Sequence, residues 1–272
     1  MGECYKISKF ARNKDPLFKT FSNCFILTME NSNRMSNNEK IKTLCNNTFL
    51  QVNRGWKKCS KATHITSAAK DLIDAYKNVF LYCKNIYEPI LILEDDAIVL
   101  ESQQKHYEEI DNFISHAKFD IYSLGSVGFV NPFNLGVHKS YLYAIGYSQA
   151  VIWSRTARMK ALSFIEKNCN LTHVDVHIMS KMQKKYSYYI PMVVQLFPET
   201  ENQENWCYFC TNTQLEKTTV KAWIHCLHLL NLHKKTDNWH VLYFISNNLI
   251  RIVLISVIFF IFKGKIFKHS SN

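Results

Sequence analysis

The stretch Glu88–Leu100, EPILILEDDAIVL, constrains this chain more than any other. Pro89 punctuates its start, the aliphatic run Ile90–Leu93 follows, and the run stops abruptly in Glu94, Asp95 and Asp96 before turning apolar again. A run this short and unbroken is the pattern of a strand buried on both faces, as found in parallel or mixed sheets. Adjacent carboxylates at the tip of such a strand are costly to bury unless a cation compensates them. In open α/β sheets the ligand crevice lies beyond the carboxyl ends of the strands. Oxygen-only ligands there suit Mg²⁺ or Mn²⁺, ions that commonly also hold substrate phosphates. The stretch therefore points to a metal–diphosphate site, weighed against the plainer reading of a solvated acidic turn.

The surrounding chain alternates strand and helix signals. Cys24–Met29 reads as the first strand and delivers the chain to Glu30–Arg34. There Asn31, Ser32 or Asn33 caps a helix running to about Cys45, and Arg34 in its first turn strengthens an anion site. Residues 46–65 read as loop with a short strand around Phe49–Val52. Ser67–Tyr82 carries Ala68, Leu72, Ala75, Val79 and Tyr82 at helical spacing. Past the acidic strand, Glu101–His116 reads as helix and Phe119–Gly125 as strand and glycine turn. Residues 131–138 are irregular, and Tyr141–Trp153 is strand-like with interruptions at Gly146 and Ser148. Ser154 caps a helix over Arg155–Lys167, His173–Lys185 is helical with Asp175 near its start, and Tyr186–Phe197 holds short strands. This alternation predicts α/β architecture around a central sheet. Residues 1–20, basic and mixed, read as a poorly ordered lead-in.

The C-terminal region differs. Lys221–His233 is amphipathic, and Trp239–Phe262 is the most apolar window, closed by Lys263, Lys265 and Lys268. Its uninterrupted part, Ile252–Phe262, is too short to cross a hydrocarbon core of ~30 Å; extending it to Trp239 brings in Asn247, Asn248 and Arg251. The reading is a membrane-associating helix, a tail anchor or an interfacial one with a snorkelling Arg251, against a buried core helix. The first residues lack the apolar region of a signal peptide, so the cytosolic face of a membrane is the expected location.

The net charge of +11 over 272 residues comes from dispersed lysines. Dispersion suits an anionic small molecule or a membrane surface better than a nucleic-acid groove, and no recognition-helix or aromatic RNA-binding signature accompanies it. The nine cysteines are an odd, scattered set, read as reduced thiols rather than a disulfide framework. Cys207 and Cys210, followed by His225, Cys226, His228 and His233, have zinc-like content at spacings that fit no standard finger; the alternative is small buried thiols and a histidine-bearing helix.

Several separated segments together resemble the family 25 glycosyltransferases, which include lipooligosaccharide and procollagen galactosyltransferases. The segments are Phe25–Arg34 (FILTMENSNR), Ile90–Leu100 (ILILEDDAIVL), Phe119–Gly125 (FDIYSLG), Tyr141–Leu162, His173–Met179 (HVDVHIM) and Gln195 in VVQLF. Their order agrees with the family over about residues 22–200. The resemblance implies a GT-A-like, Rossmann-type nucleotide-diphospho-sugar transferase sheet with flanking helices over residues 21–218. Residues 219–272 then form the C-terminal amphipathic and hydrophobic segment. It also implies a UDP-sugar donor (UDP-galactose or UDP-glucose), Mn²⁺ or Mg²⁺, and a glycan, lipid or protein acceptor. Asp96 is the expected direct metal ligand; Glu94 contacts the ion, its bound water or the ribose; Asp95 orients the site. Arg34 meets the nucleotide or diphosphate, and Asp175 is the candidate base for the acceptor hydroxyl. His173 and His177 flank Asp175 and are further candidates for the metal shell, as is His228. The runner-up is an inactive transferase-like module tethered to a membrane, with nucleic-acid binding third.

Overall fold

A computed structural model of the chain describes residues 4–32, 34, 40–100, 104–196 and 214–269. Strand β4 (Ile90–Glu94) lies near the middle of a nine-stranded mixed sheet. On one side of it stand β2 (Asn23–Met29), β3 (Asn47–Asn53) and β1 (Tyr5–Arg12), in that order outward. On the other stand β9 (Ala150–Trp153), β6 (Ile121–Ser123), β10 (Lys185–Tyr188), β8 (His138–Gly146) and β7 (Val127–Val130). Strands β2, β3 and β4 run parallel, and β9 pairs antiparallel with β4. A small ribbon joins β5 (Ala97–Val99) to β11 (Val193–Gln195).

The aliphatic run of β4 does what its pattern implies. Ile90 and Ile92 enter one core and Leu91 and Leu93 the opposite one, all fully buried. The first core is covered by α1 (Ala68–Tyr82) and α3 (Arg155–Lys167), with Tyr76, Phe80 and Trp153 in edge-to-face contact. Each helix starts where a serine accepts a backbone N–H of its first turn, Ser67 from Lys70 and Ser154 from Ala157. The second core contains Phe18, Phe21 and the inner face of α2 (Gln104–His116). A third, smaller core forms where Leu227 of α4 (Gln214–Leu229) and Trp239, Leu242 and Tyr243 of α5 (Trp239–His269) pack on Val127 and Val194.

Three expectations need correction. The lead-in is not structureless: Tyr5–Arg12 is an edge strand paired antiparallel with β3. Its side chains are mostly exposed or half-buried, so no apolar alternation marks it in the sequence, and its lysines suit an edge open to solvent. The cysteines are not all reduced. Cys4 pairs with Cys59 and Cys24 with Cys45, with Cα atoms 5.6 and 5.9 Å apart. The strand order β1–β3–β2 brings these distant positions together, and such bridges belong to an oxidising setting rather than the reducing one expected. His173–Lys185 is not one helix but a single π-helical turn, Val174–Ile178, followed by a 3₁₀ turn, Met179–Lys181. The helix expected up to Cys45 falls largely on residues outside those described, and near its end stands a 3₁₀ turn at Lys40–Thr43. Cys207 and Cys210 lie outside the described residues.

Helix α5 includes a stretch, Trp239–Val257, long and apolar enough to cross a membrane. Its first turns are docked on the domain: Trp239, Leu242 and Tyr243 are buried, and Asn247 is 8% exposed. Farther along, Ile252, Val253, Leu254, Ile255 and Val257 present apolar side chains to the outside, with Ser256 among them.

Candidate functional site

The carboxyl ends of the parallel strands β2 and β4 share one edge of the sheet, and the acidic tripeptide lies there in the turn from β4 to β5. Its three carboxylates have different surroundings. Asp95 is buried and accepts a hydrogen bond from the Thr28 hydroxyl of β2 at 2.8 Å, which fixes the turn to the neighbouring strand. Glu94 turns the other way. Its Oε1 accepts from the Ser148 hydroxyl at 2.5 Å and from the Tyr76 hydroxyl at 3.5 Å. Asp96 has Oδ2 at 3.5 Å from the Arg34 guanidinium, while its buried Oδ1 has no hydrogen-bond partner. The same guanidinium nitrogen is 3.7 Å from Asp95.

The segment between β8 and β9, residues 147–149, bridges two parts of this site. The Tyr147 backbone N–H donates to Asp175 Oδ2 at 3.1 Å, and the next residue, Ser148, holds Glu94. Tyr147 sits at φ +68°, a left-handed conformation that costs a non-glycine residue of order 1–3 kcal/mol. The structure sustains it from both sides: the Ser126 hydroxyl donates to the Tyr147 carbonyl, and the Tyr147 ring packs edge-on against Trp239 at 5.7 Å. The second oxygen of Asp175 accepts the Val176 N–H at 2.8 Å.

Burial dominates the electrostatics. Loss of water pushes the Glu94 carboxyl well above the usual carboxylate range, and repulsion from Asp96, Asp175 and Asp95 adds to it. Burial also raises Asp96, with Asp95 adding and the Arg34 guanidinium opposing. Among the described residues Arg34 stands within ion-pair distance of Asp95 and Asp96, and no cation does so for Glu94 or Asp175.

The structure brings together the expected residues Arg34, Glu94, Asp95 and Asp96, and links Asp175 to them through Tyr147 and Ser148. The histidines are otherwise engaged. His177 Nδ1 accepts backbone N–H groups of Thr172 and His173, each at 3.1 Å, and burial holds its pKa below the usual histidine value. His228 stacks on His233 at 4.2 Å. Among the described residues no three Asp, Glu, His or Cys side chains stand at metal-binding spacing. The described residues therefore supply no closed cage, but Asp96 with its bare Oδ1 and Glu94 beside it fit the sparser mode of Mg²⁺ or Mn²⁺. In that mode one or two carboxylates are supplemented by water and substrate phosphates.

Sequence reasoning missed Thr28, Tyr76, Tyr147 and Ser148 as site residues. The interruption at Gly146 and Ser148 was the visible signal for the last two.

No family model matches the sequence, and no curated protein does. Among solved structures the chain is similar to A197 from STIV, at 14% identity over 64% of this chain and 83% of that one, with a TM-score of 0.38. A likeness that distant leaves the functional argument to the residues themselves.

Proposed function

We propose that the chain is a GT-A-like glycosyltransferase that moves a hexose, galactose or glucose, from a UDP-sugar to an acceptor hydroxyl. The observation that carries this reading is the buried, partnerless Asp96 Oδ1 beside an uncompensated Glu94, at the carboxyl edge of two parallel strands with one arginine in reach. Such a site lacks a cation and an anionic group together, and a metal-bound diphosphate supplies both.

When bound, Mn²⁺ or Mg²⁺ would neutralise charge on the departing diphosphate. Asp96 and Glu94 would hold the ion, and Asp95, tied to Thr28, keeps the turn in place. Arg34, 38% exposed at its side chain, would meet the diphosphate and pair with it through two nitrogens. Asp175 has each oxygen oriented by one backbone N–H, which leaves remaining lone pairs to accept a proton from the acceptor hydroxyl. Donor screening with the purified chain tests this: hydrolysis or transfer from one UDP-hexose, dependent on Mn²⁺ and lost in Asp96→Asn, is the expected result. No donor binding with any nucleotide sugar would refute it.

One observation favours the inactive-module reading instead: Arg34 already lies within ion-pair distance of both Asp95 and Asp96. In that case Arg34→Ala destabilises the fold and donor binding is absent from the outset.

A further inference from the structure

Away from the acidic edge, a cavity of ≈ 390 Å³ opens between the first turns of α5 and the edge formed by β7, β8 and the segment after β10. That is the size of a small-ligand site. Its walls are apolar and aromatic, including Tyr243 and Phe244, yet it contains Lys139, His240 and Arg251. Arg251 is oriented by neutral groups alone: its Nε donates to the Pro132 carbonyl at 3.0 Å, Nη1 to Asn248 Oδ1 at 3.2 Å, and Nη2 to the Asn134 carbonyl. Lys139 feels Arg251 as a like charge. Among the described residues no carboxylate stands within salt-bridge distance of Lys139, His240 or Arg251. Asn247, 8% exposed, accepts from Gly128 N–H through Oδ1. Its Nδ2 stands beside the Tyr141 and Tyr243 hydroxyls without a hydrogen bond of standard geometry. The cavity therefore offers uncompensated cations inside apolar walls, the complement of an anion attached to hydrocarbon.

The surroundings identify which anion. Arg251 grips the tip of the β7–β8 hairpin, where Phe133 and Leu135 are 86% and 81% exposed. On its other side α5 leaves the domain and exposes Ile252, Val253, Leu254, Ile255 and Val257. The cavity stripe of the helix, 240–244–247–251, continues without a break into Leu254 and Ile255, as helical spacing dictates. Exposed apolar surface thus flanks the cations on both sides. The apolar run from Ile252 to Phe262 rises about 16 Å, half the ~30 Å core of a bilayer. An upright helix entering one leaflet would carry Lys263 to the midplane, so a run bordered in sequence by Arg251 and Lys263 suits a helix lying along the interface, with Arg251 at phosphate depth.

We propose that this cavity binds the phosphate head group of an anionic membrane lipid, with Lys139 and Arg251 on the phosphate and the acyl chain along the Phe244–Ile255 stripe. The site fixes the domain's depth and orientation on the membrane and is independent of the sugar-nucleotide reading.

Flotation of the full chain with phosphatidylcholine vesicles, with and without phosphatidic acid, tests it. Phosphatidic acid is expected to tighten binding. Lys139→Met should remove about fivefold of that gain, the weight of one basic residue at an anionic surface, and leave binding to pure phosphatidylcholine unchanged. Lys139→Gln guards against a folding defect, with far-UV circular dichroism as the check. Lys167→Met, on the exposed end of α3, is the control. If Lys139→Met and Lys167→Met weaken binding equally, the attraction is diffuse and the proposal fails. If millimolar glycerol phosphate displaces the chain from the vesicles, the occupant is a free organic phosphate and the lipid assignment is overturned.

Discussion

Two clusters of acids lie on opposite sides of β2, and they are finished differently. Around Asp71 and Asp74 every group has its partner. Lys61 pairs with Asp71 and lies 3.7 Å from Asp74, Asn53 donates to Asp71 at 3.0 Å, and the Tyr5 hydroxyl donates to Asp74 at 2.5 Å. Lys61 also touches Asn53 and the face of the Tyr5 ring, and Cys59, two residues away, is bonded to Cys4 next to Tyr5. The cluster at Glu94–Asp96 has one long-range guanidinium, a bare carboxylate oxygen and a strained neighbour. Buried acids that serve stability are satisfied by the chain itself; a set left short of positive charge is suited to receive it from outside.

The comparison can be broken. The largest effect is expected for Lys61→Ala, which strands Asp71 among buried groups and should cost about 3–5 kcal/mol in denaturant unfolding. An unchanged midpoint would mean that the cluster is not the structural one. Reduction of the two disulfides, or Cys59→Ser, should cost about 3–4 kcal/mol per bridge in the chain-entropy account, read as a lower melting temperature in dithiothreitol. At the other cluster the signs reverse. Asp96→Asn should leave stability unchanged or slightly raised while lowering metal-dependent transfer at least about a hundredfold, the size of a lost several-kcal/mol electrostatic contribution. A destabilised Asp96→Asn would make the two clusters alike.

The smallest effect is a pH slope. Because Glu94 and Asp96 are raised in the folded chain, that state keeps protons the unfolded chain releases. Their contribution to stability is full at low pH and is lost as pH rises from the ordinary carboxylate range through the raised values. Melting temperature should therefore fall with rising pH in the metal-free protein, less steeply in Glu94→Gln. Added Mn²⁺ should stabilise more at high pH than at low pH; a metal effect independent of pH would detach the ion from these carboxylates.

Much of this organisation was legible before any coordinates. β4, α1 and α3 announce themselves because burial on two faces demands an aliphatic run, and because the serine caps and helical spacing of Ser67–Tyr82 and Ser154–Lys167 are local signals. The acidic tip stood out for the same reason: an aliphatic run that stops in three carboxylates after Leu93 is a local signal. What stayed hidden depends on long-range juxtaposition. β1 carries no buried alternation, since one of its edges and most of its side chains meet solvent. The disulfides became pairs only through the strand order. Thr28, Tyr76 and Ser148 reach the acids from three other elements, and no spacing rule connects them.

The edge-on contact between Tyr147 and Trp239 has a mechanical consequence. Trp239 is the first residue of the apolar helix, and Tyr147 belongs to the connection that grips both Glu94 and Asp175. A chain cut before Trp239 thus loses the aromatic backing of the connection that holds Glu94 and Asp175, so the apolar helix and the acidic turn are joined through a single ring contact.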